Sequence, residues 1–244
     1  MKHFLAVLLT LMACPLWSVV AAETPIITAA SSAADPLVIP YIDASANIDA
    51  MGEDEVWNKI APLTSFRYYW DPEEPPKTEL RLFHDGTHLY FLYTVEDDEV
   101  ITHPVINEEM DIASEDRIEL GFSSEDASAP YYFFEIDPVG RVLDYEGRFY
   151  RKFNPGWDSR SLEVLGRLTE IGYEVEGKFE LAELRELGVL RPDGKMRVGF
   201  FRGEYFSGSS EDDNHKWISW IYSGSAQPDF HLHSAFGTAR IETR

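Results

Sequence analysis

The sequence contains one cysteine among its 244 residues, Cys14, and few basic side chains, with 21 Lys and Arg against 43 Asp and Glu. If the segment around Cys14 is cleaved, the remaining chain has no disulfide, no thiolate metal site and no cysteine nucleophile. The formal charge of -22 and the lack of a Lys and Arg cluster exclude nucleic acid and anionic membranes as partners. Gly-x-Ser-x-Gly, His-Glu-x-x-His and phosphate-loop motifs are also absent, so no common enzyme class is indicated.

The first 22 residues have the pattern of a signal peptide, with a basic start at Lys2, an apolar run from Phe4 and small residues up to Ala22. We therefore expect cleavage after Ala22 and export to the periplasm or the extracellular space. Lipid attachment at Cys14 is the alternative, because "LMAC" loosely resembles a lipobox. No later apolar run approaches the ~18 residues that a membrane span needs, so we predict none.

The rest of the chain predicts one β-rich domain. Residues 23–38 are rich in Ala, Ser, Thr and Pro and predict a flexible linker, and residues 39–244 predict the domain itself. Short runs such as "HLYFLYTVE" and "YYFFEIDP" alternate or are apolar, and turn signals such as Asp85-Gly86 separate them. These features predict an all-β fold, an antiparallel β-sandwich of immunoglobulin-like or jelly-roll-like type.

Two segments break the strand pattern and predict short helices. "ELAELRELG" places Leu181, Leu184 and Leu187 at a spacing of three, and Gly188 can end such a helix in a left-handed conformation. "EDEVWNKI" predicts one further helical turn, with Trp57 packed inward.

Several of these segments, in their order along the chain, resemble family 9 carbohydrate-binding modules. The similar segments are "ANIDAMGEDEVW", "LRLFHDGTHLYFLYTVEDDEV", "EDRIELGF", "YYFFEIDPVGRVLD", "GYEVEGKFELAEL", "VGFFRGEYF", "WISW" and "DFHLHSAFG". The resemblance implies a β-sandwich that binds mono- or oligosaccharides without catalysis, commonly with structural calcium and without an organic cofactor. It also implies a secreted protein that supports polysaccharide breakdown or uptake.

The resemblance places the acidic sugar-binding residue at Glu119. Strand alternation supports this assignment, because Ile118 and Leu120 would face one side and Glu119 the other, together with Arg117. A solvated Glu119 on an exposed face is the structural alternative.

The family's two stacking tryptophans are replaced in this sequence. They fall on Ala113 and on Phe230, so one wall is missing and the other is smaller. A ring from elsewhere, such as Trp157 or Tyr69, is an alternative wall.

Three further residues are candidates for the same site. Glu135 would share a strand face with Tyr131 and Phe133, Arg202 lies in "FFRGEYF", and Gln227 is close enough to Phe230 to reach a sugar hydroxyl. The structural alternatives are an exposed cross-strand pair with an Arg for Glu135 and a salt bridge with Glu119 or Glu135 for Arg202.

Two short sequence patterns suggest metal chemistry. In "VEDDEV", Asp97 and Asp98 offer the oxygen ligands that calcium prefers, and Asp97 also matches the family's strand-end Asp. His231 and His233 in "QPDFHLHSAFG" share a strand face, but further zinc ligands are lacking, so we expect them to be hydrogen-bonding residues.

Other classes of function remain open at this point. A related sandwich could bind haem for electron transfer through axial ligands from Met110, Met196, His103 or His215. Glu119 and Glu135 could instead form a glycoside hydrolase pair. A structural or interaction module that binds no sugar is the third alternative.

Overall fold

The computed structural model describes residues 36–207 and 214–243. The strands are β1 Leu37–Ile39, β2 Thr78–His84, β3 His88–Glu96, β4 Arg117–Ser123, β5 Tyr131–Ile136, β6 Val142–Arg148, β7 Lys152–Asn154, β8 Glu163–Thr169, β9 Gly172–Glu180, β10 Lys195–Tyr205, β11 His215–Ser219 and β12 Gly237–Ile241. The helical elements are α1 Leu181–Glu186 and the 3₁₀ turns Trp57–Lys59, Glu109–Ser114 and His233–Ala235.

The strands form two sheets that pack face to face. The larger sheet runs β1-β12-β10-β4-β5-β6-β7, with β11 also paired to β10, and the smaller sheet runs β2-β3-β9-β8. Among the strand pairs in the described part of the chain, β1 and β12 are parallel and the others are antiparallel. The predicted all-β sandwich is therefore confirmed, with one parallel pair added at the edge.

Both predicted helices are present. Gly188 follows the C-cap residue Leu187 of α1 and has a φ of +73°, which is the left-handed conformation expected just past a helix end. Trp57 lies in the first 3₁₀ turn and is 2% exposed, so it packs inward as predicted. No helix in residues 36–207 or 214–243 is long and apolar enough to cross a membrane.

The main core lies between the two sheets. On β4, Ile118, Leu120 and Phe122 point into this core, where they join side chains of the smaller sheet such as Phe91 and Phe179. Period-two alternation therefore leaves the odd-numbered residues of β4 on the outer face of the larger sheet.

A second aromatic layer covers that outer face. β11 and β12 pair one after the other, in the same direction, with one edge of β10, so the chain between them, residues 220–236, leaves that edge at Ser219 and rejoins it at Gly237 after crossing over the outer face. It packs Phe230 and Phe236 against Phe201 and Phe133 of the sheet. This crossing segment forms one wall of the site described next.

Candidate functional site

Three charged side chains meet under the crossing segment on the outer face of the larger sheet. Glu119 on β4 and Glu135 on β5 are directly opposed cross-strand partners. Arg117 Nε lies 3.1 Å from Oε1 of Glu119 and 2.6 Å from Oε2 of Glu135. We call these three residues the ion cluster.

The ion cluster is almost completely buried. Arg117 and Glu119 are each 3% exposed and Glu135 is 7% exposed. Burial, together with the Glu135 carboxylate, raises the pKa of Glu119 to about 8, although Arg117 acts in the opposite direction. Burial alone would lower the pKa of Arg117, but Glu135 and Glu119 raise it. The cluster therefore holds two carboxyl groups on one guanidinium in a poorly solvated place.

Neighbouring groups hold the ion cluster in place, and one carboxylate oxygen, Oε2 of Glu135, can still accept a hydrogen bond. The Tyr145 hydroxyl donates to Oε1 of Glu135 at 2.8 Å, and an Arg117 terminal nitrogen donates to the carbonyls of Ala113 and Glu115. Oε2 of Glu135 is paired with Arg117 Nε at 2.6 Å, but the N–H does not point at it as in a hydrogen bond. A carboxylate oxygen accepts more than one hydrogen bond, so Oε2 can also accept from a ligand hydroxyl.

A cleft of about 110 Å³ opens onto the cluster. This volume is well below the roughly 300–1,000 Å³ of pockets for drug-sized ligands, so it suits part of a single ring. Its lining residues are Arg117, Glu119, Glu135, Arg151, Trp217, Pro228, Asp229, Phe230 and His231.

Trp217 and Phe230 are the aromatic lining, and they differ in how much of each ring is free. One face of Phe230 stacks on Phe201, with ring centroids 4.1 Å apart, and Phe230 is only 6% exposed. Trp217 is partly exposed, and its ring centroid lies 5.2 Å from the Arg117 guanidinium carbon. Gly203, its cross-strand partner, has no side chain, and a Cβ there would lie 3.1 Å from Arg117. Trp217 therefore offers the larger apolar surface to a ligand.

The far side of the cleft is closed by a polar contact between two segments. Arg151 follows β6 and donates to Oδ1 of Asp229 at 3.0 Å, and the Tyr150 hydroxyl donates to Oδ2 of Asp229 at 2.8 Å. Next to Asp229, His231 lies 3.2 Å from the Tyr131 hydroxyl. Burial and Arg151 lower the pKa of His231 to about 4, so this imidazole is neutral near pH 7.

The structure brings three of the predicted sugar-site residues together. Glu119, Glu135 and Phe230 all line the cleft. Gln227 is exposed and does not line it, and its carbonyl accepts a hydrogen bond from Ser225. Ala113 contributes the carbonyl that accepts from Arg117.

Arg202 does not line the cleft, which corrects the prediction that it belongs to the same site as Glu119. Phe201, not Arg202, shares the outer face with Glu119, because Phe201 is the cross-strand partner of Glu119 on β10. Arg202 is 0% exposed on the inner face, where it donates to Asp97 at 3.1 Å and contacts Glu204. The structural alternative of a salt bridge is correct, but its partners are acidic residues other than those considered.

The two predicted calcium ligands, Asp97 and Asp98, lie in different environments. Asp97 is buried and, with Asp116 and Glu204, places carboxylate oxygens within 4.8 Å of one another, whereas Asp98 is exposed and outside this group. Burial and neighbouring carboxylates raise the pKa of Asp116 to about 8, and burial raises that of Glu204 to about 7. Three buried carboxyls against the single positive charge of Arg202 leave an excess of negative charge, which suits a hard cation.

Sequence reasoning missed Trp217, Arg151 and Asp229 as cleft residues. The alternation of "WISW" separates Trp217 from Ile218, but only the pairing with β10 shows which of the two faces the cleft. Arg151 and Asp229 lie in connecting segments, where no periodic signal exists.

The structure also places the residues of the other hypotheses. Met196 is fully buried between the sheets, and Met110 is exposed and lines a different cleft that contains no histidine. His103 pairs with Glu115 at 2.7 Å. Among the described residues, these side chains do not converge on an apolar pocket that would suit haem.

An open two-sheet sandwich with a small cleft of carboxylates, a guanidinium and aromatic rings has the architecture of a binding module. The sequence profile described as "Carbohydrate family 9 binding domain-like" matches residues 48–244. The chain therefore belongs to the family 9 carbohydrate-binding-like domains, as the sequence resemblance predicts.

Three solved structures share this fold. A candidate carbohydrate-binding protein from Bacteroides uniformis has 20% sequence identity and a TM-score of 0.65, with 85% of this chain and 99% of that chain covered. A family 9 module from Caldicellulosiruptor kristjanssonii in complex with glucose has 19% identity and a TM-score of 0.53, covering 85% and 96%. One in complex with cellotriose has 14% identity and a TM-score of 0.57, covering 86% and 95%. A comparison with curated protein sequences gave no significant match.

Proposed function

We propose that the chain binds carbohydrate without catalysis at the cleft over the ion cluster. The observation that supports this most is the buried carboxylate of Glu135, which is paired with Arg117 at a cleft lined by Trp217 and can still accept a hydrogen bond at Oε2. Sugar recognition needs this combination, because hydroxyl groups donate to carboxylates while the C–H face of the ring packs on an aromatic side chain.

Each member of the site has a separate role in this proposal. Glu119 and Glu135 accept from adjacent hydroxyls, Arg117 donates to a hydroxyl oxygen, and Trp217 covers one ring face. Glucose units are the first ligands to test, since the similar modules from Caldicellulosiruptor kristjanssonii are complexes with glucose and cellotriose.

The arrangement of the carboxyls favours binding over hydrolysis. A glycosidase needs two carboxyls that flank the scissile bond, one to protonate it and one on the opposite side of the ring. Glu119 and Glu135 are neighbours on adjacent strands and contact the same guanidinium. Both would therefore approach a sugar from one side.

Isothermal titration calorimetry with glucose and cellobiose tests the binding proposal. Loss of a charge-assisted hydrogen bond of about 1.5–3 kcal/mol should weaken binding by roughly 10-fold or more in Glu135→Gln, and in Glu119→Gln when the titration is run above about pH 8, where Glu119 is ionised. Glu163→Gln is the matched control, because Glu163 is a largely exposed carboxylate on β8 of the other sheet. A parent protein that binds sugar with unchanged affinity in both cleft variants would place the site elsewhere.

We further propose that the protein is exported and supports polysaccharide breakdown or uptake. The apolar leader that ends at Ala22 and the sugar cleft together support this role. Cell fractionation with N-terminal sequencing of the mature protein tests it, and Cys14→Ala separates ordinary cleavage from lipid attachment. Retention of the full leader in the cytoplasm would contradict the proposal.

Structural calcium at Asp97, Asp116 and Glu204 is a separate proposal. Its support is the excess of buried carboxyl groups over the single guanidinium of Arg202. Bound calcium would add positive charge there and stabilise the folded chain. Thermal unfolding in EGTA and in excess calcium tests this, with Asp116→Asn as the variant that should lose the calcium response. Equal unfolding temperatures in both buffers would refute it.

A further inference from the structure

A group of three aromatic side chains lies beside the cleft and is not part of it. The rings of Tyr69 and Tyr222 stack with centroids 5.3 Å apart and planes 29° from parallel. Trp70 meets Tyr222 edge-on at 6.0 Å. Tyr222 is 47% exposed and Tyr69 is 37% exposed, so ring surface of both faces solvent. We call these three residues the aromatic platform.

The polar atoms of the aromatic platform are already bound to the backbone. The Tyr69 hydroxyl donates to the carbonyl of Trp220 at 3.2 Å. Trp70 Nε1 and the Tyr222 hydroxyl both donate to the carbonyl of Ser225 at 3.0 Å. The exposed surface is therefore mainly hydrocarbon, and its rings are held in place before any ligand binds. A preformed surface loses little side-chain entropy on binding.

The aromatic platform and the cleft pack against the same ring, that of Phe230. The Trp70 ring lies 6.2 Å from Phe230, which lines the cleft and is 6% exposed, and Phe230 in turn lies 5.4 Å from Trp217. The platform is therefore a neighbour of the cleft, within the reach of an oligosaccharide that extends from the ion cluster. The cleft itself, at about 110 Å³, has no room for a second ring. Further rings of an oligosaccharide would have to lie outside it.

We propose that Tyr69, Trp70 and Tyr222 form a second sugar subsite, which makes the protein a binder of neutral oligosaccharides rather than of single sugars. The inference rests on the proposed sugar cleft. Neutral chains fit the platform because the hydroxyls of Tyr69 and Tyr222 and the Trp70 N–H are already hydrogen-bonded, and the formal charge of -22 disfavours acidic polysaccharides. Pyranose rings with flat C–H faces are the matching chemistry for stacked tyrosines.

Calorimetric titration with glucose, cellobiose and cellotriose tests this inference. We expect cellotriose to bind more tightly than glucose, since aromatic stacking of about 0.5–1.5 kcal/mol corresponds to roughly 2- to 12-fold in affinity. Tyr222→Ala should remove most of that gain and leave glucose affinity within about twofold. Tyr222→Phe should keep the gain, because it retains the ring.

Leu168→Ala is the matched control, because Leu168 is 49% exposed on β8 of the other sheet. Equal affinity of the parent for glucose and cellotriose, or an undiminished gain in folded Tyr222→Ala, would overturn the subsite while leaving the cleft intact. A parent protein that binds none of the three sugars would overturn both proposals. Circular dichroism establishes that each variant is folded.

Discussion

Glu119 and Glu135 lie directly opposite each other on neighbouring strands, and each contacts the side chain of Arg117. Two carboxyls in such a pair repel each other when both are ionised and poorly solvated. Arg117 reduces this repulsion, but burial and, second to it, the Glu135 carboxylate still raise the pKa of Glu119. The cluster therefore has consequences for stability as well as for ligand binding.

Removing the guanidinium should be strongly destabilising. Arg117→Met would leave two buried carboxyls without a cation, so we expect the free energy of unfolding to fall by about 3–5 kcal/mol. Urea unfolding of parent and variant measures this. The triple variant Arg117→Met, Glu119→Gln, Glu135→Gln should recover much of the loss, since its cluster carries no charge. A loss below about 1 kcal/mol in the single variant would argue against this account.

Stability should depend on pH through Glu119. Its pKa is about 8 in the folded chain and near 4.5 when unfolded, so the folded state retains a proton that the unfolded state releases between these values. This contribution to stability is complete below about pH 4.5 and is lost as the pH rises towards 8, by about 1 kcal/mol per pH unit. Glu119→Gln should flatten that decline between pH 6.5 and 8, whereas Glu163→Gln should leave it unchanged.

Protonation of His231 should lower the stability of the fold at acidic pH, whereas protonation of Glu119 raises it. Its folded pKa of about 4 lies below the ordinary 6.5, because burial and Arg151 disfavour the imidazolium. The unfolded chain therefore binds a proton first, and stability should fall by up to about 1 kcal/mol per unit as the pH drops from 6.5 to 4. His231→Phe should reduce this acid-induced loss in denaturant titrations. An identical acid profile in parent and variant would show that His231 does not titrate as described.

The variant Arg202→Met tests whether the two buried arginines, Arg202 and Arg117, have separate roles. It would leave Asp97 and Glu204 without their cation, and we expect a loss of about 3–5 kcal/mol in urea unfolding in calcium-free buffer. Sugar affinity of the folded fraction should stay within about twofold of the parent, because Arg202 lies on the opposite face of the sheet from Glu119. A selective loss of sugar binding at unchanged stability would instead return Arg202 to the site.

Local patterns in the sequence were enough for the fold class and for part of the site. Period-two alternation correctly placed Arg117 with Glu119 on one face of β4, and leucine spacing found α1. Alternation within one strand does not reveal the register with the next. Arg202 was misplaced for this reason, since a shift of one residue on β10 exchanges the two faces of the sheet.

The remainder of the site depends on long-range pairing. Trp217 reaches the cleft because β11 pairs with β10, and Asp229 reaches Arg151 across 78 residues of sequence. No local composition or spacing signals such contacts. Phe230 lines the cleft, and its packing on Phe201 depends on the path of the crossing segment.

The connection from β11 to β12 links the cleft to strand β12. Residues 228–231 cover the ion cluster on a connection whose far end is held by β12, which pairs with β10 and β1. Fraying of the terminal strand would thus open the sugar cleft from a distance. Amide hydrogen exchange in β12 should slow when sugar binds, although none of its residues lines the cleft.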